Sequence, residues 1–212
     1  MKLQVAKRDL ESALAVVTNS MTTSGTDISS HFVFRADKDD KVEVLTFTGR
    51  LFSSAPVKCV IDSSADRQFT VEGARLVQWV KSVKDAALDL EFDPETKVVT
   101  ARAPKGSMEF QSLDPSSFPF WDEMWPDVTE KGTVKAVSLA AGLSYARGFV
   151  FDKETKRPEL CLIECKDGLI FATDQKAITL VEVTGLADST LRIHRNDAGA
   201  VLKFLGTCGD ED

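Results

Sequence analysis

The chain has 212 residues, carries a net charge of −7, and is 43% hydrophobic and 28% charged, which excludes the compositions of disordered chains and of membrane proteins. No apolar run approaches the length of a membrane span, and the opening residues MKLQVAKRDL lack the apolar core of a signal peptide. We therefore expect a cytoplasmic globular protein, with room for one large domain or two small ones.

The first half of the chain predicts a strand, a helix, four strands, a second helix and three strands. Lys7–Val17 and Ala74–Lys84 both carry the apolar spacing of an amphipathic helix. Runs rich in β-branched and aromatic residues, separated by turn residues, predict the strands. These runs are LQV at 3–5, HFVFRAD, KVEVLTFTG, LFSSAPVKCVI, QFTVEG, ALDLEF, KVVTARA and SMEFQSL. DKDDK and DPET are interpreted as turns between neighbouring strands.

An aromatic connector, SSFPFWDEMW at residues 116–125, follows this first half. Pro119 and Pro126 exclude a helix or a central strand there. The stretch is also too aromatic for a flexible linker, which would be rich in Gly and Ser or in charge. A connector this apolar must lie on a folded surface, either over the edge of one core or between two similar domains.

After the connector the same order of elements starts again. We predict a strand in GTVKAV at 132–137, a helix at Leu139–Phe149, and two strands joined by a type I′ turn at Asp167–Gly168. The runs AITLVEV and STLRIH predict two more strands, and Asn196 is placed as the cap of a last helix. The order indicates an internal repeat of about 125 residues, so the connector is expected to join the two copies and to pack against both.

Residues typical of catalytic or metal sites are few. The cysteines form no CxxC pair, so we interpret them as buried thiols and not as disulfide or zinc ligands. They are Cys59, Cys161, Cys165 and Cys208. His31 and His194 lie in strand-like stretches, where a structural role is the commoner one.

No known catalytic motif is present in the sequence. We find no glycine-rich phosphate loop, HExxH motif or serine nucleophile elbow. The acidic patch at 37–40 lacks the central Gly of an EF-hand loop, and its twelfth position is Thr48 instead of Glu. We therefore predict a protein that is not an enzyme and that uses no cofactor and no metal.

Positive charge is concentrated in the predicted helices. The segments 7–17, 74–84, 138–149 and 192–206 together carry +6, which leaves −13 on the rest of a chain of −7. Such a surface is suited to weak, non-specific contact with the phosphates of duplex DNA. The residues expected to face DNA are Lys7, Arg8, Arg75, Lys81, Lys84, Arg147, Arg195 and Lys203.

Three stretches resemble the bacterial sliding clamp, the β subunit of DNA polymerase III. MKLQVAKRDLESALAVV resembles the family's opening strand and helix, and SLDPSSFPFWDEMW resembles the end of its first domain. RPEL at 157–160, followed by a hairpin and FATDQKAITL, resembles a stretch of its second domain. The resemblance runs along essentially the whole chain in order. The chain could be a phage version of such a clamp or the N-terminal part of a longer chain.

The resemblance implies an α+β fold of repeated clamp domains, each with two helices packed on antiparallel sheets, that assemble into a ring. Such a ring encircles duplex DNA and tethers the polymerase as a processivity factor. The partners implied are duplex DNA, and the polymerase and the clamp loader through short peptide motifs. The alternative is a DNA-associated interaction module that forms no ring and binds the duplex backbone.

The resemblance also implies a partner-peptide pocket in the second copy. Its residues carry over to Leu160, Thr173, Gln175, Lys176 and Ile178. Residues 175–177 depart from the Gly-His-Arg of the family. The loop TTSGT at 22–26 lacks the DNA-contacting Arg of the family.

The domains are expected at 1–125, with the connector region 114–131 at the end of the first, and at 126–212. The second copy has only GTCGDED after its last helix, where the first copy has three strands, so we expect the second domain to be incomplete and its sheet edge to be open. A homo-oligomeric ring would then be a dimer of longer three-domain chains or a trimer of two-domain chains.

Overall fold

The computed structural model describes residues 1–22, 27–49, 51–62, 67–120, 133–151, 153, 156–186 and 190–208. The chain divides into two compact units, Met1–Pro126 and Asp127–Asp212. Within the described residues, each unit combines antiparallel strands with two α-helices. The predicted α+β class with antiparallel sheets is therefore confirmed.

The first unit contains nine strands and two helices among its described residues. They are β1 (Lys2–Ala6), α1 (Lys7–Val17), β2 (His31–Ala36), β3 (Val42–Phe47), β4 (Phe52–Val57), β5 (Cys59–Asp62), β6 (Gln68–Glu72), α2 (Gly73–Ser82), β7 (Ala87–Asp93), β8 (Val98–Ala103) and β9 (Gly106–Gln111). The apolar spacing of α1 places Leu10, Leu14 and Val17 in the core, as the sequence predicts.

Two sheets enclose the core of the first unit. One has the strand order β5-β1-β7-β8-β9 and the other the order β4-β3-β2-β6. Both helices pack on the core that these sheets enclose. The core contains Phe34 and Phe69, whose ring centroids lie 5.1 Å apart. Burial of this many large apolar side chains is the main stabilising term of the unit.

The run LFSSAPVKCVI forms two strands and not the single strand that we predicted. It is interrupted at Lys58, where β4, paired with β3, gives way to β5, paired with β1 in the other sheet. The first copy therefore has five strands between its helices. Strand pairing of this kind depends on residues far apart in the chain, which a local pattern does not encode.

The second unit has four strands and two helices among its described residues. They are α3 (Ala136–Ala146), β10 (Leu162–Lys166), β11 (Leu169–Thr173), β12 (Ile178–Glu182), β13 (Thr190–His194) and α4 (Arg195–Leu205). Asp167 and Gly168 both have positive φ, of 49° and 81°, which confirms the predicted type I′ turn between β10 and β11. The sheet order is β12-β11-β10-β13.

Two predictions at helix starts are wrong. The residues 133–137 of GTVKAV form no strand, because the chain is irregular to Lys135 and helical from Ala136. No strand of the described residues is paired with this stretch, and an unpaired strand would leave its backbone groups without hydrogen bonds. The last helix is capped by the His194 ring, which accepts a hydrogen bond from the backbone N–H of Asn196, so the predicted cap Asn196 lies inside the helix.

The four-stranded sheets of the two units have the same strand order, β4-β3-β2-β6 in the first and β12-β11-β10-β13 in the second. Each is preceded by a helix and followed by one. This is the arrangement expected of an internal repeat. No helix in the described part of the chain is long and apolar enough to cross a membrane.

Candidate functional site

The β11–β12 hairpin carries most of the predicted peptide pocket. Its turn is fixed by Asp174, whose carboxylate accepts hydrogen bonds from the backbone N–H groups of Lys176 (2.9 Å) and Ala177 (2.8 Å). These hydrogen bonds, that of Ala177 first, hold the pKa of the Asp174 carboxyl below its usual value. Gln175 has a positive φ of 75°. The side chains of Gln175 and Lys176 are exposed at the tip of the turn.

The two strand ends of this hairpin bring Thr173 and Ile178 together. They are register partners, and the Ile178 side chain is 64% exposed. A single exposed aliphatic side chain is common on protein surfaces, but among the five predicted pocket residues Ile178 is the one that offers an exposed apolar group.

Leu160 has a different environment. It lies on the turn Pro158–Cys161 before β10, and its carbonyl accepts a hydrogen bond from the N–H of Phe151. Its side chain is buried. The place of Leu160 in a pocket with Thr173 and Ile178 stays a prediction.

Sequence analysis missed Leu180, which is 62% exposed. It lies opposite Phe171 in the register of β11 and β12, and on the same face of the sheet as Ile178. The run AITLVEV is apolar at nearly every position, so its pattern does not show which residues point outwards. The exposed pair Ile178 and Leu180, with Thr179 buried between them, could be found only from the fold.

Of the eight residues predicted to face DNA, six have exposed side chains and two are only partly exposed. Those with exposed side chains are Arg8, Arg75, Lys81 and Lys84 in the first unit, and Arg147 and Lys203 in the second. Arg75 pairs with Glu72 at 3.2 Å and its guanidinium lies 5.6 Å from the centroid of the Phe110 ring. These contacts leave half of its side chain exposed, at 48%.

Lys7 and Arg195 have structural contacts. The Lys7 ammonium donates a 2.6 Å hydrogen bond to the carbonyl of Val83 and thereby links the start of α1 to the end of α2. The Arg195 guanidinium donates a 2.8 Å hydrogen bond to the carbonyl of Phe151, and its Nε is buried with no hydrogen-bond partner among the described atoms. Both side chains are only partly exposed, so their predicted contact with DNA is the least supported of the eight.

The observed helices carry less positive charge than the predicted segments. The four helices as they fold have a net charge of +3 instead of +6. The difference of three comes from Lys84 and Arg147, which lie just past α2 and α3, and from Arg192, which lies in β13 and pairs with Glu164. Lys84 and Arg147 still lie within a residue or two of a helix end, so all six exposed residues of the predicted set lie on a helix or next to one.

The cysteines and histidines have structural environments. Cys161 and Cys165 are buried, as predicted, but Cys59 and Cys208 are only half-buried. Burial raises the pKa of the Cys165 thiol to about 11. The His31 ring is buried and lies within hydrogen-bond distance of the carbonyl of Asp27, at 3.0 Å. Within the ranges that the structure describes, no cluster of three or more metal-ligating side chains occurs.

The aromatic connector is described only as far as Phe120. Phe118 and Phe120 are buried in the first unit, where they pack on Val33 and Leu45. Residues 121–125 lie outside the described residues, and so does most of the loop 22–26. The expected packing of the connector on the second copy therefore stays a prediction.

Comparison with solved structures identifies the fold. The chain superposes on the DNA polymerase sliding clamp of Caulobacter crescentus with a TM-score of 0.81 and 18% identity, covering 99% of this chain and 59% of that one. The DNA polymerase III β subunit of Pseudomonas aeruginosa gives 0.78 and 15%, covering 97% and 57%. The Helicobacter pylori β clamp bound to a DNA ligase peptide gives 0.72 and 20%, covering 96% and 58%.

No protein-family model and no curated protein matches the sequence. The likeness is therefore one of structure, and it shows that the chain has the sliding-clamp fold, as the sequence motifs predicted. The chain spans somewhat more than half the length of the clamps that it matches, between 57% and 59% for these three.

Proposed function

We propose that the protein is a DNA sliding clamp, a polymerase processivity factor that encircles duplex DNA. The observation that carries this proposal is the match of both units, over at least 96% of the chain, to clamp structures. Because the fold alone does not fix a function, the proposal also draws on the exposed cations that lie on or next to helices and on the β11–β12 hairpin as a candidate peptide receptor.

The charge distribution is suited to a protein that holds DNA by topology. A chain with a net charge of −7 is not attracted to DNA as a whole. Exposed cations such as Arg8, Lys81 and Arg147 can contact phosphates weakly and without sequence preference. Weak contact lets a ring slide, whereas tight binding would fix it in one place.

The partners that we propose are proteins with short apolar motifs, in particular the DNA polymerase and the clamp loader. The candidate receptor is the β11–β12 hairpin, where Ile178 offers an exposed apolar group next to the polar turn 174–177. Support comes from the H. pylori clamp, whose structure holds a DNA ligase peptide. In this account the protein is a non-catalytic, cytoplasmic accessory subunit.

The assembly that we propose is a homo-oligomeric ring of clamp domains, whose stoichiometry depends on the number of domains in each chain. The competing possibility is a monomeric module that binds the duplex backbone. Sedimentation equilibrium separates the two, since a clamp has a single ring-sized mass that is independent of DNA. A monomer of 23.2 kDa whose DNA affinity falls steeply with salt would refute the ring.

A further inference from the structure

A strap crosses the outer face of the first unit's four-stranded sheet. We define the strap as residues 112–120, which follow β9. It begins at β6, where the Leu113 backbone N–H donates a 2.7 Å hydrogen bond to the Thr70 hydroxyl. The Ser112 hydroxyl accepts a 3.0 Å hydrogen bond from the N–H of Thr70. These buried hydrogen bonds fasten the start of the strap to the sheet.

The far end of the strap is held by its two phenylalanines. Phe118 lies 5.8 Å from Phe52 and 5.2 Å from Phe120, measured between ring centroids. The guanidinium of Arg35 lies 4.7 Å from the centroid of the Phe120 ring, which is a favourable cation–π distance. An extended Phe-Pro-Phe segment therefore covers the face with aromatic and cation contacts.

The second unit presents the corresponding face of its sheet. Each hairpin has a four-residue turn, so the pair Phe47 and Phe52 that closes β3–β4 corresponds to the pair Thr173 and Ile178 that closes β11–β12. By the same count, Ser54 corresponds to Leu180.

The neighbouring positions follow from the same register. Phe171 corresponds to Leu45, since each lies two residues before the end of its strand. The cross-strand partner of Leu45 is Val33 and that of Phe171 is Glu164, so Glu164 corresponds to Val33. Lys166 then takes the place of Arg35, and its side chain is 54% exposed.

The described residues leave this second face exposed where the first is covered. Ile178 and Leu180 are 64% and 62% exposed, whereas the face of the first unit buries Val33 and Leu45 completely under the strap. Phe171 lies beside Leu180 and is half-buried. We call Phe171, Ile178, Leu180 and Lys166 the outer patch.

We propose that the outer patch binds an extended segment of a partner protein that has the chemistry of the strap, two aromatic residues around a proline followed by acidic residues. The first unit shows how a sheet of this order and register accepts such a segment. Lys166 can contact an aromatic ring as Arg35 does. Its charge also suits acids such as Asp122 and Glu123, which follow the Phe-Pro-Phe sequence of the strap.

The two faces also differ in ways that set the strength of binding. Glu164, paired with Arg192 at 3.2 Å, occupies the position of Val33, and Thr173 occupies that of Phe47. The outer patch is therefore more polar than the face under the strap, so we expect reversible binding by a partner. The inference rests on the repeat within this chain. The outer patch shares Ile178 with the partner-peptide pocket proposed above, so its test uses Leu180 and Lys166, which lie outside that pocket.

The test is a titration of a fluorescent peptide with the sequence of residues 112–123, SLDPSSFPFWDE, against the full chain. A matched peptide with both Phe residues replaced by Ser is the control ligand. Leu180→Asp should weaken binding at least about tenfold, because a carboxylate is desolvated against apolar groups. Lys166→Glu should weaken it by a smaller factor, and Val60→Asp, at a strand position 68% exposed in the first unit, should leave it unchanged.

Lys166 is exposed, so its reversal tests the inference even if Leu180→Asp unfolds the second unit. Absence of binding, equal binding of the two peptides, or equal affinity of the wild type and both patch variants would overturn the inference. None of these results bears on ring formation. A ring-sized mass with no strap-peptide binding would refute only the outer patch.

Discussion

Thr173 lies directly opposite Ile178 in the register of β11 and β12, and the Thr173 hydroxyl donates a 2.7 Å hydrogen bond to the carbonyl of Ala177 across the turn. The same hydroxyl accepts a hydrogen bond from the N–H of Gln175 at 3.1 Å. The turn is thus held rigid beside an exposed isoleucine. A rigid hairpin with the apolar side chains of Ile178 and Leu180 in solvent is suited to binding the anchor residue of an extended peptide.

We expect a clamp-binding peptide of the Gln-Leu-x-Leu-Phe kind to bind this hairpin weakly and Ile178→Asp to abolish the binding. The new carboxylate would have to be desolvated against the apolar anchor. The measurement is a fluorescence titration of the labelled peptide. Val60→Asp supplies the matched control, since Val60 is 68% exposed on a strand of the other unit. Equal affinity of the wild type and Ile178→Asp for the peptide would show that the peptide binds elsewhere on the protein.

A triple charge reversal tests the basic helix surfaces. We expect Arg75→Glu, Lys81→Glu and Arg147→Glu together to reduce loading onto circular DNA and processive synthesis, since phosphate contacts become repulsive. All three side chains are exposed, so each change should cost about 0.5 kcal/mol or less in stability.

The matched control reverses three exposed lysines in hairpin turns, Lys38, Lys41 and Lys97, and changes the net charge by the same amount. It should retain activity, because these lysines lie in turns between strands and not on or next to a helix. If the helix triple mutant supports synthesis as well as the wild type, these helix residues do not face the DNA.

Phe118→Ala should destabilise the first unit. Phe118 is 2% exposed and packs with Phe120 over Val33 and Leu45, so its truncation leaves a cavity. We expect a loss of about 3 kcal/mol in the free energy of unfolding. Urea denaturation measures it, with the exposed Val60→Ala as the control. A change below about 0.5 kcal/mol would mean that the strap is not packed as described.

Acid should destabilise the protein through its turn carboxylates. Asp37, Asp93, Asp114 and Asp174 all have a pKa below the usual value, in each case because the charged form accepts hydrogen bonds within its turn. A lowered folded pKa gives a stabilisation that is present above the unfolded pKa and is lost as the pH falls through the folded one.

We therefore expect the urea midpoint to fall as the pH drops below about 4, the range of an unperturbed aspartate. Asp174→Ala should lower the midpoint at neutral pH and make it less dependent on pH in the acid range. A midpoint whose acid dependence is the same in Asp174→Ala and the wild type would contradict the role of this carboxylate.

Local patterns predicted most helices and strands. The spacing of apolar residues gave the bounds of α1 without error, and α2 runs over Gly73–Ser82 where Ala74–Lys84 was predicted. The prediction of a strand in GTVKAV was wrong. Its alternation of apolar and polar residues is typical of a strand, but the following run of Ala and Leu favours a helix from Ala136. Whether a segment forms a strand depends on a neighbouring strand to pair with as well as on the pattern of apolar residues.

The candidate site was only partly predictable. Thr173 and Ile178, which the resemblance places in one pocket, are register partners in the structure. The exposure of Leu180 and the burial of Leu160 could not be predicted. Both residues lie in apolar runs, where the packing of the sheet determines which side chains are buried. Likewise, the contacts of Lys7 and Arg195 with the carbonyls of Val83 and Phe151 join residues far apart in the chain.

Retention on circular DNA tests the clamp proposal most directly. The protein is loaded by the clamp loader and ATP onto a nicked plasmid, and the DNA-bound fraction is measured by gel filtration before and after a restriction enzyme linearises the plasmid. A ring held by topology stays on the circle in moderate salt and is lost from the linear DNA. Equal retention on circular and linear DNA, falling with salt in both, would contradict encirclement and indicate a protein that binds the duplex backbone.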